Sequence, residues 1–364
     1  MPRQHPSTPS SAEPIVEVDL NALCANYRLF QGLGNADVAA VVKCNSYGLG
    51  LEKTATTLAL RENCKVFFVA YPAEGVTLRK ALQSVDHDAE IFTLLGPTTL
   101  TLPLFKEYQL APLLNSAQDA QFWAKHGDGL PAGLHFDIGM NRLAAPRSDI
   151  DAIRAIDTLN LSLVMAHLSH AGTPHDTHNK NQLDRFKEIS ALFPNVRKSL
   201  SSSGGALINN DYNFDIIRLG VSLYGVPPFG IDDPRIHTVA TLKAPIVQIR
   251  EIDAGDGVGY DSLFVAHKAM QIATVSLGYG DGYPRGASNG APVMFGNELA
   301  PIVGKVSMDL VTIDVSNLKQ SAQIGDFATF FGTKPSLTAV AAACGTIPYE
   351  LLTGLGERID RRYL

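Results

Sequence analysis

Between residues 38 and 218 the chain alternates short, apolar, β-branched runs with longer stretches of helix-like sequence, and it does so eight times. The short runs are 38–43, 66–70, 90–95, 110–114, 133–137, 161–167, 199–201 and 214–218; residues 181–192 typify the helix-like intervals. Parallel strands covered on both faces read as near-continuous apolar runs, and each crossover between them needs a dozen or more residues. Eight consecutive strand–helix units match a closed (β/α)8, TIM-type barrel. The competing arrangement is an open doubly wound sheet. Its dinucleotide-binding form is signalled by GxGxxG after the first strand, and no such motif follows residue 43.

Beyond residue 235 the texture changes. Short strand-like runs at 244–252, 271–277 and 310–315 are separated by Gly and Asp turns, and helical periodicity returns only at 336–343. The expected organisation is a tail at 1–13, a barrel at 14–235 and a mainly β domain at 236–364. The opening MPRQHPSTPSSAEP is rich in Pro and Ser and lacks the apolar stretch of a secretory signal, which predicts a disordered tail.

Composition narrows the function classes. Apolar residues make up 45% and charged residues 18%, an ordinary globular balance, and no apolar run approaches the roughly 20 residues of a membrane helix. A formal charge of −6 offers no long-range attraction to phosphate backbones or anionic lipid, so neither nucleic acid nor membrane is an expected partner. Cys24, Cys44, Cys64 and Cys344 lie far apart with no CxxC pair, which predicts reduced thiols, no structural zinc and a cytoplasmic setting.

In a (β/α)8 barrel, functional groups collect at the C-terminal ends of the strands. Lys43 ends the first run in AAVVK, ahead of the turn-forming CNSYGLG. It reads either as a surface lysine snorkelling from a strand end or as a desolvated amine suited to an imine with a carbonyl cofactor. Ser203 in SSSGG follows the seventh run, and Arg218 and Gly220 lie in RLGVSLYG at the eighth, where barrels commonly cradle a phosphate. His167 in MAHLSHAG reads by default as a satisfied core or strand-end histidine and Arg142 in DIGMNRLA as a structural ion-pair partner, and each gains weight as a functional residue from its strand-end position. Beyond the barrel, Tyr260 in GVGYDSLF and Tyr279 and Tyr283 in LGYGDGYPR are packing residues or proton donors, and Met308 and Asp309 lie in VGKVSMDL.

In this order the segments resemble those of alanine racemases, pyridoxal 5′-phosphate (PLP) enzymes of fold type III. AVVKCNSYGLG resembles the family's cofactor-lysine segment, DIGMNRL its arginine segment, IIRLGVSLYG its phosphate segment, GVGYDSLF its catalytic-tyrosine segment and VGKVSMDL its substrate loop. IPYELLTGLGERIDRRY resembles its C-terminal motif. The resemblance implies a PLP-dependent isomerase that racemises alanine, supplying or consuming D-alanine. It also implies a head-to-tail homodimer in which the β domain of one subunit completes the active site of the other.

By the same resemblance Lys43 carries PLP, while Tyr47, Ser203, Gly220, Val221 and Tyr349 hold its phosphate and Arg218 donates to the pyridine nitrogen. Lys43 and Tyr260 are the two opposed bases, with lysine on the D face and tyrosine on the L face, supported by His167, Arg218 and Arg142. Arg142, Met308 and Tyr279 bind substrate. Some positions depart from the family pattern: His135 stands where many members carry a carbamylated lysine, Leu49 replaces a usual histidine, Leu219 a proline and Ser307 a frequent cysteine. A racemase of broader amino-acid range, including serine, is the alternative within the same chemistry. A related PLP decarboxylase would leave Tyr260 and Arg218 without a task. A non-catalytic PLP-binding carrier would need neither the β domain nor Tyr260.

Overall fold

The computed structural model describes residues 13–288 and 290–364, so the expected tail at 1–13 lies almost wholly outside the described residues. The chain divides into two units. One runs from Asn21 to His237; the other joins the residues up to Leu20 with Thr238–Leu364.

The strand of residues 15–18, β1 (Ile15–Val18), belongs to the second unit. It pairs antiparallel with β10 and parallel with β18, defined below. The expected 14–235 boundary therefore needs correcting at its start. IVEV is a short apolar strand that any sheet could accept, and its pairing rather than its place in the sequence decides which one does.

The first unit holds eight parallel strands: β2 (Asp37–Val41), β3 (Val66–Val69), β4 (Glu90–Thr93), β5 (Ala111–Leu114), β6 (Ala132–His135), β7 (Leu161–Met165), β8 (Arg197–Ser199) and β9 (Ile216–Leu219). Their order is β8-β7-β6-β5-β4-β3-β2-β9, so the last strand lies beside the first. The remaining seam, between β8 and β9, is drawn together by Asp215 N–H to Lys198 O at 3.0 Å and Arg218 N–H to Ser201 O at 3.0 Å. Ser199 Oγ adds a bond to Ile216 O at 2.6 Å. The barrel is thus nearly closed, as eight strand–helix units require.

The strands VFFV, APLL and IIRL are buried at every position, which is why they read as unbroken apolar runs. Inside the barrel Gly133 yields its place to a neighbour: a Cβ there would lie 2.4 Å from Leu113 Cδ2. Helices follow most strands, among them Leu51–Glu62, Pro72–Gln83, Ala117–His126 and Thr177–Ser190. Ser116 and Asp176 cap two of them by accepting main-chain bonds from Asp119 and His178, each cap contributing about 1 kcal/mol.

The second unit is mainly β: β10 (Ala240–Ile252), β11 (Gly257–Val258), β12 (Phe264–Val265), β13 (Met270–Val275), β14 (Met294–Phe295), β15 (Glu298–Leu299), β16 (Val311–Asp314), β17 (Phe327–Phe331) and β18 (Asp360–Tyr363). The long β10 is its spine, pairing antiparallel with β1 and β17 and, past an irregularity between Ile246 and Gln248, with β13. The helix expected at 336–343 is Leu337–Cys344, capped by Ser336. Among the described residues no helix is long and apolar enough to cross a membrane.

Candidate active site

Lys43 stands two residues beyond β2, half-buried, at the head of a turn with unusual backbone geometry. Cys44, Asn45, Ser46 and Tyr47 have φ of 52°, 53°, 52° and 54°, a left-handed turn made without glycine. Each such residue costs about 1–2 kcal/mol, so neighbours must hold the turn in place. Glu74 Oε1 accepts from Cys44 N–H at 2.6 Å, and Asn45 Oδ1 accepts from Leu51 N–H at 2.7 Å. The Tyr47 ring stacks on Tyr224, centroids 4.7 Å apart, and Tyr224 Oη is anchored on Val41 O at 2.9 Å.

Arg218, on β9, is 3% exposed. Its Nη1 donates to Ser199 O at 3.0 Å and Ser199 Oγ at 2.6 Å; its Nη2 donates to Ala166 O at 2.7 Å and Leu200 O at 3.2 Å. Nη2 also meets His167 Nδ1 at 3.1 Å. These partners are all neutral. Burial accordingly lowers the pKa of Arg218 to about 9, which still leaves it protonated near neutrality. A guanidinium can only donate, so His167 Nδ1 must accept, and the neutral imidazole carries its proton on Nε2. Burial, then the charges of Arg218, Arg142 and Lys43, push the pKa of His167 well below the ordinary histidine range.

His135, at the end of β6, is buried against the same charges. Burial and then Arg218 and Arg142 lower its pKa to about 3. Asn115 fixes its ring: Nδ2 donates to Leu94 O at 3.2 Å and Leu113 O at 2.9 Å, so Oδ1 faces His135 Nδ1 at 3.0 Å and accepts its proton. His135 Nε2 is left as an acceptor.

The loops after β8 and β9 meet at Ser203, whose Oγ accepts from Gly220 N–H at 3.2 Å and Ser222 N–H at 3.3 Å. Gly220 lets the main chain approach Tyr47 closely, since a Cβ here would lie 2.8 Å from Tyr47 Oη. Val221 begins the 3-10 turn that follows, Val221–Tyr224. A buried cation with only neutral partners, clustered main-chain donors and a close-approach glycine together fit a phosphorylated, ring-shaped anion such as PLP. Lys43, Tyr47, Ser203, Arg218, Gly220 and Val221 are the barrel residues that would hold it.

The chain matches the family model of the alanine racemase N-terminal domain over residues 18–228 and that of the C-terminal domain over residues 239–363. It belongs to the alanine racemase family. It is 37% identical over 359 residues to the alanine racemase of Rickettsia conorii, covering 96% of this chain and 98% of that one. To the biosynthetic alanine racemase of Agrobacterium fabrum it is 38% identical over 368 residues, covering 95% and 93%. Among solved structures it is similar to the Bartonella henselae alanine racemase with covalently bound pyridoxal phosphate, with a TM-score of 0.91 and 33% identity over 97% of this chain and 100% of that one. The biosynthetic alanine racemase of Pseudomonas aeruginosa gives a TM-score of 0.89 and 30% identity, covering 97% and 99%.

The other racemase-like residues lie in the second unit. Tyr260 is 67% exposed, in a short turn whose Asp261 (φ 57°) pairs with Lys305. From Lys305 the chain continues to Ser307 and Met308, whose carbonyls accept from Tyr279 N–H at 3.0 Å and Gly280 N–H at 2.8 Å. A Cβ at Gly278 would lie 2.2 Å from Met308 O, so this crossing requires glycine. Tyr260, Tyr279 and Met308 are thereby presented on adjoining exposed loops. Arg358 ties the crossing down through Asp281 and Asp309, each at 2.8 Å. Tyr349 is on the helix Pro348–Thr353 of the same unit. Tyr283 proves to be a packing residue, 1% exposed and edge-on to Phe330.

Several positioning residues escaped the sequence reading: Glu74, Asn115, Ser199 and Tyr224. Tyr224 left a trace within the RLGVSLYG segment, and Ser199 as the first residue of the expected run 199–201. The others act on main chain or on residues distant in sequence, and no local pattern marks them.

Proposed function

We propose that this chain interconverts L- and D-alanine with PLP, working as a head-to-tail homodimer in which Tyr260 of a second copy joins the Lys43 site. The observation that carries the reading is Arg218: a buried guanidinium whose partners are neutral, bonded to His167 beside a main-chain anion cradle. When bound, PLP supplies a conjugated ring that draws electron density from the substrate's α-carbon.

Racemisation requires a proton to leave one face of that carbon and return on the other. Lys43 moves it on the D face and Tyr260 on the L face. A phenol is a poor base near neutrality unless hydrogen bonds favour its ionised form. His167, held with its proton on Nε2, offers such a donor and passes the influence of Arg218 to Tyr260. Arg218 keeps its own proton, so it can only bond to the pyridine nitrogen and leaves the ring a weaker electron sink. Arg142 and the Met308 main chain orient the substrate carboxylate, with Tyr279 beside them. His135 Nε2 stands in for the carbamate of other members as a neutral acceptor toward the arginines.

Exposure of 67% for Tyr260, 43% for Tyr279 and 55% for Met308 suits loops that a second copy covers. The test is exchange of the α-proton of L- and D-alanine in deuterated water, comparing the parent with Lys43→Ala and Tyr260→Phe. Both variants lose racemisation; a Tyr260→Phe variant that racemises at the parental rate overturns the two-base assignment.

A further inference from the structure

We propose that His170, Asp176 and His178 form a binding site for a divalent transition-metal ion of the zinc class, where the loop that follows β7 runs into the first turn of the helix Thr177–Ser190. One ligand atom from each residue lies within 4.8 Å of the other two. The two imidazoles are stacked with centroids 4.4 Å apart, and His178 Nδ1 lies 2.7 Å from Asp176 Oδ1. Two nitrogens and one carboxylate oxygen are a donor set that zinc, nickel, cobalt and copper accept and that magnesium and calcium do not favour. The sequence, with neither a CxxC pair nor a familiar His/Cys ligand spacing, predicted no structural zinc and no metal.

An independent observation is the state of His170. Ser169 N–H donates to Gln182 Oε1 at 3.0 Å, which fixes the orientation of that buried amide. Ser169 Oγ also contacts Oε1, at 3.1 Å, and since Oε1 can only accept, the single hydroxyl proton goes there. The 2.7 Å contact between Ser169 Oγ and His170 Nδ1 must then run from Nδ1–H to Oγ. His170 is therefore held in the tautomer whose Nε2 has a lone pair to give. A hydroxyl accepting from the other ring nitrogen is the support that metal-ligating histidines use.

The frame beneath the ligands is also built. Asn179, 1% exposed, donates from Nδ2 to both His170 O and Thr173 O at 3.0 Å, and Asp176 N–H donates to Thr173 O at 3.0 Å. Drawing donors to about 2.1 Å from one ion asks for shifts on the order of 1 Å, which the exposed His178 ring can supply. The ion takes the place of the proton between His178 Nδ1 and Asp176 Oδ1, which leaves to solvent. Open coordination positions are filled by water. The ion clips together a loop that begins three residues after His167.

The full-length holoenzyme, freed of metal with a chelator, is titrated with Co2+ and followed by its visible d–d bands, which lie beyond PLP absorbance. One Co2+ binds per chain, Zn2+ displaces it and Mg2+ does not. His170→Gln and His178→Gln each weaken binding by about tenfold or more, while PLP absorbance and basal racemisation show that both variants remain folded. Absence of Co2+ bands, displacement by Mg2+, or unchanged affinity in both variants overturns the assignment.

Discussion

The residues proposed for catalysis sit in two different physical settings. In the barrel, Arg218, His135 and the turn after Lys43 are buried or half-buried, and each is fixed by bonds to main chain or to a side chain whose own orientation is fixed. In the second unit, Tyr260 and Met308 are exposed on loops shaped by Gly278 and by the Lys305–Asp261 pair. The barrel can therefore set protonation states by burial and by the charges buried with them, as the lowered pKa values of His167 and Arg218 record. Tyr260 has no comparable burial. The proposed residues are thus held by burial and fixed partners in the first unit and on exposed loops in the second.

The comparison is broken most severely at Lys43. Lys43→Ala removes both the cofactor anchor and one base, and racemisation measured by polarimetry falls to background. Tyr260→Phe is the sharper experiment. The phenol's proton transfer is worth about 10²–10⁴ in rate, and only the L face loses it. Racemisation falls by that factor, while exchange of the D-alanine α-proton, followed by NMR in deuterated water, persists. Equal loss of exchange from both enantiomers would show that Tyr260 supports the whole site rather than one face.

How far the sequence could anticipate this arrangement depends on where the determining force lies. Most of the barrel strands were legible because burial on both faces writes an apolar run directly into the chain, whereas β8, the polar and partly exposed Arg197–Ser199, meets the expected run 199–201 only at Ser199. The start of the last strand was not legible: Phe214 has φ of 41°, a left-handed residue that delays β9 to Ile216, and nothing in YNFDIIRL marks it. Strand β1 was assigned to the wrong unit because partner choice is a long-range property. The strand-end positions of Lys43, His167 and Arg218 could be read from the barrel rule, whereas their roles came from ordered resemblance. The tautomers of His167 and His135 were illegible, since each depends on a partner distant in sequence, Arg218 in one case and Asn115 in the other.

His135 supplies a test of burial together with the arginine charges beside it. Its pKa falls from about 6.5 in the unfolded chain to about 3 in the fold, so the unfolded state binds the extra proton between those values. Its contribution to stability is complete above pH 6.5 and is lost progressively as pH falls toward 3. Urea midpoints measured across this window should decline on the acid side, and His135→Gln, which cannot titrate, should flatten the decline. An identical acid limb in His135→Gln would place the titrating group elsewhere.

The smallest expected effect concerns the turn that presents Lys43. Glu74 bridges two segments, with Oε1 accepting from Cys44 N–H while Oε2 accepts from Ala70 N–H at 2.8 Å and Tyr71 N–H at 3.2 Å. Glu74→Gln keeps the size and replaces one acceptor by a donor, so either the left-handed turn or the start of the helix Pro72–Gln83 faces an N–H it cannot bond. Hydrogen bonds to a charged group contribute about 1.5–3 kcal/mol, and a loss in that range should appear in the urea midpoint. Because four consecutive left-handed residues depend on this anchor, release of PLP, followed by its absorbance on dilution, should also accelerate. A variant that loses stability yet holds PLP as tightly as the parent would show that stacking of Tyr47 on Tyr224 suffices to keep the turn, and that Glu74 serves the helix alone.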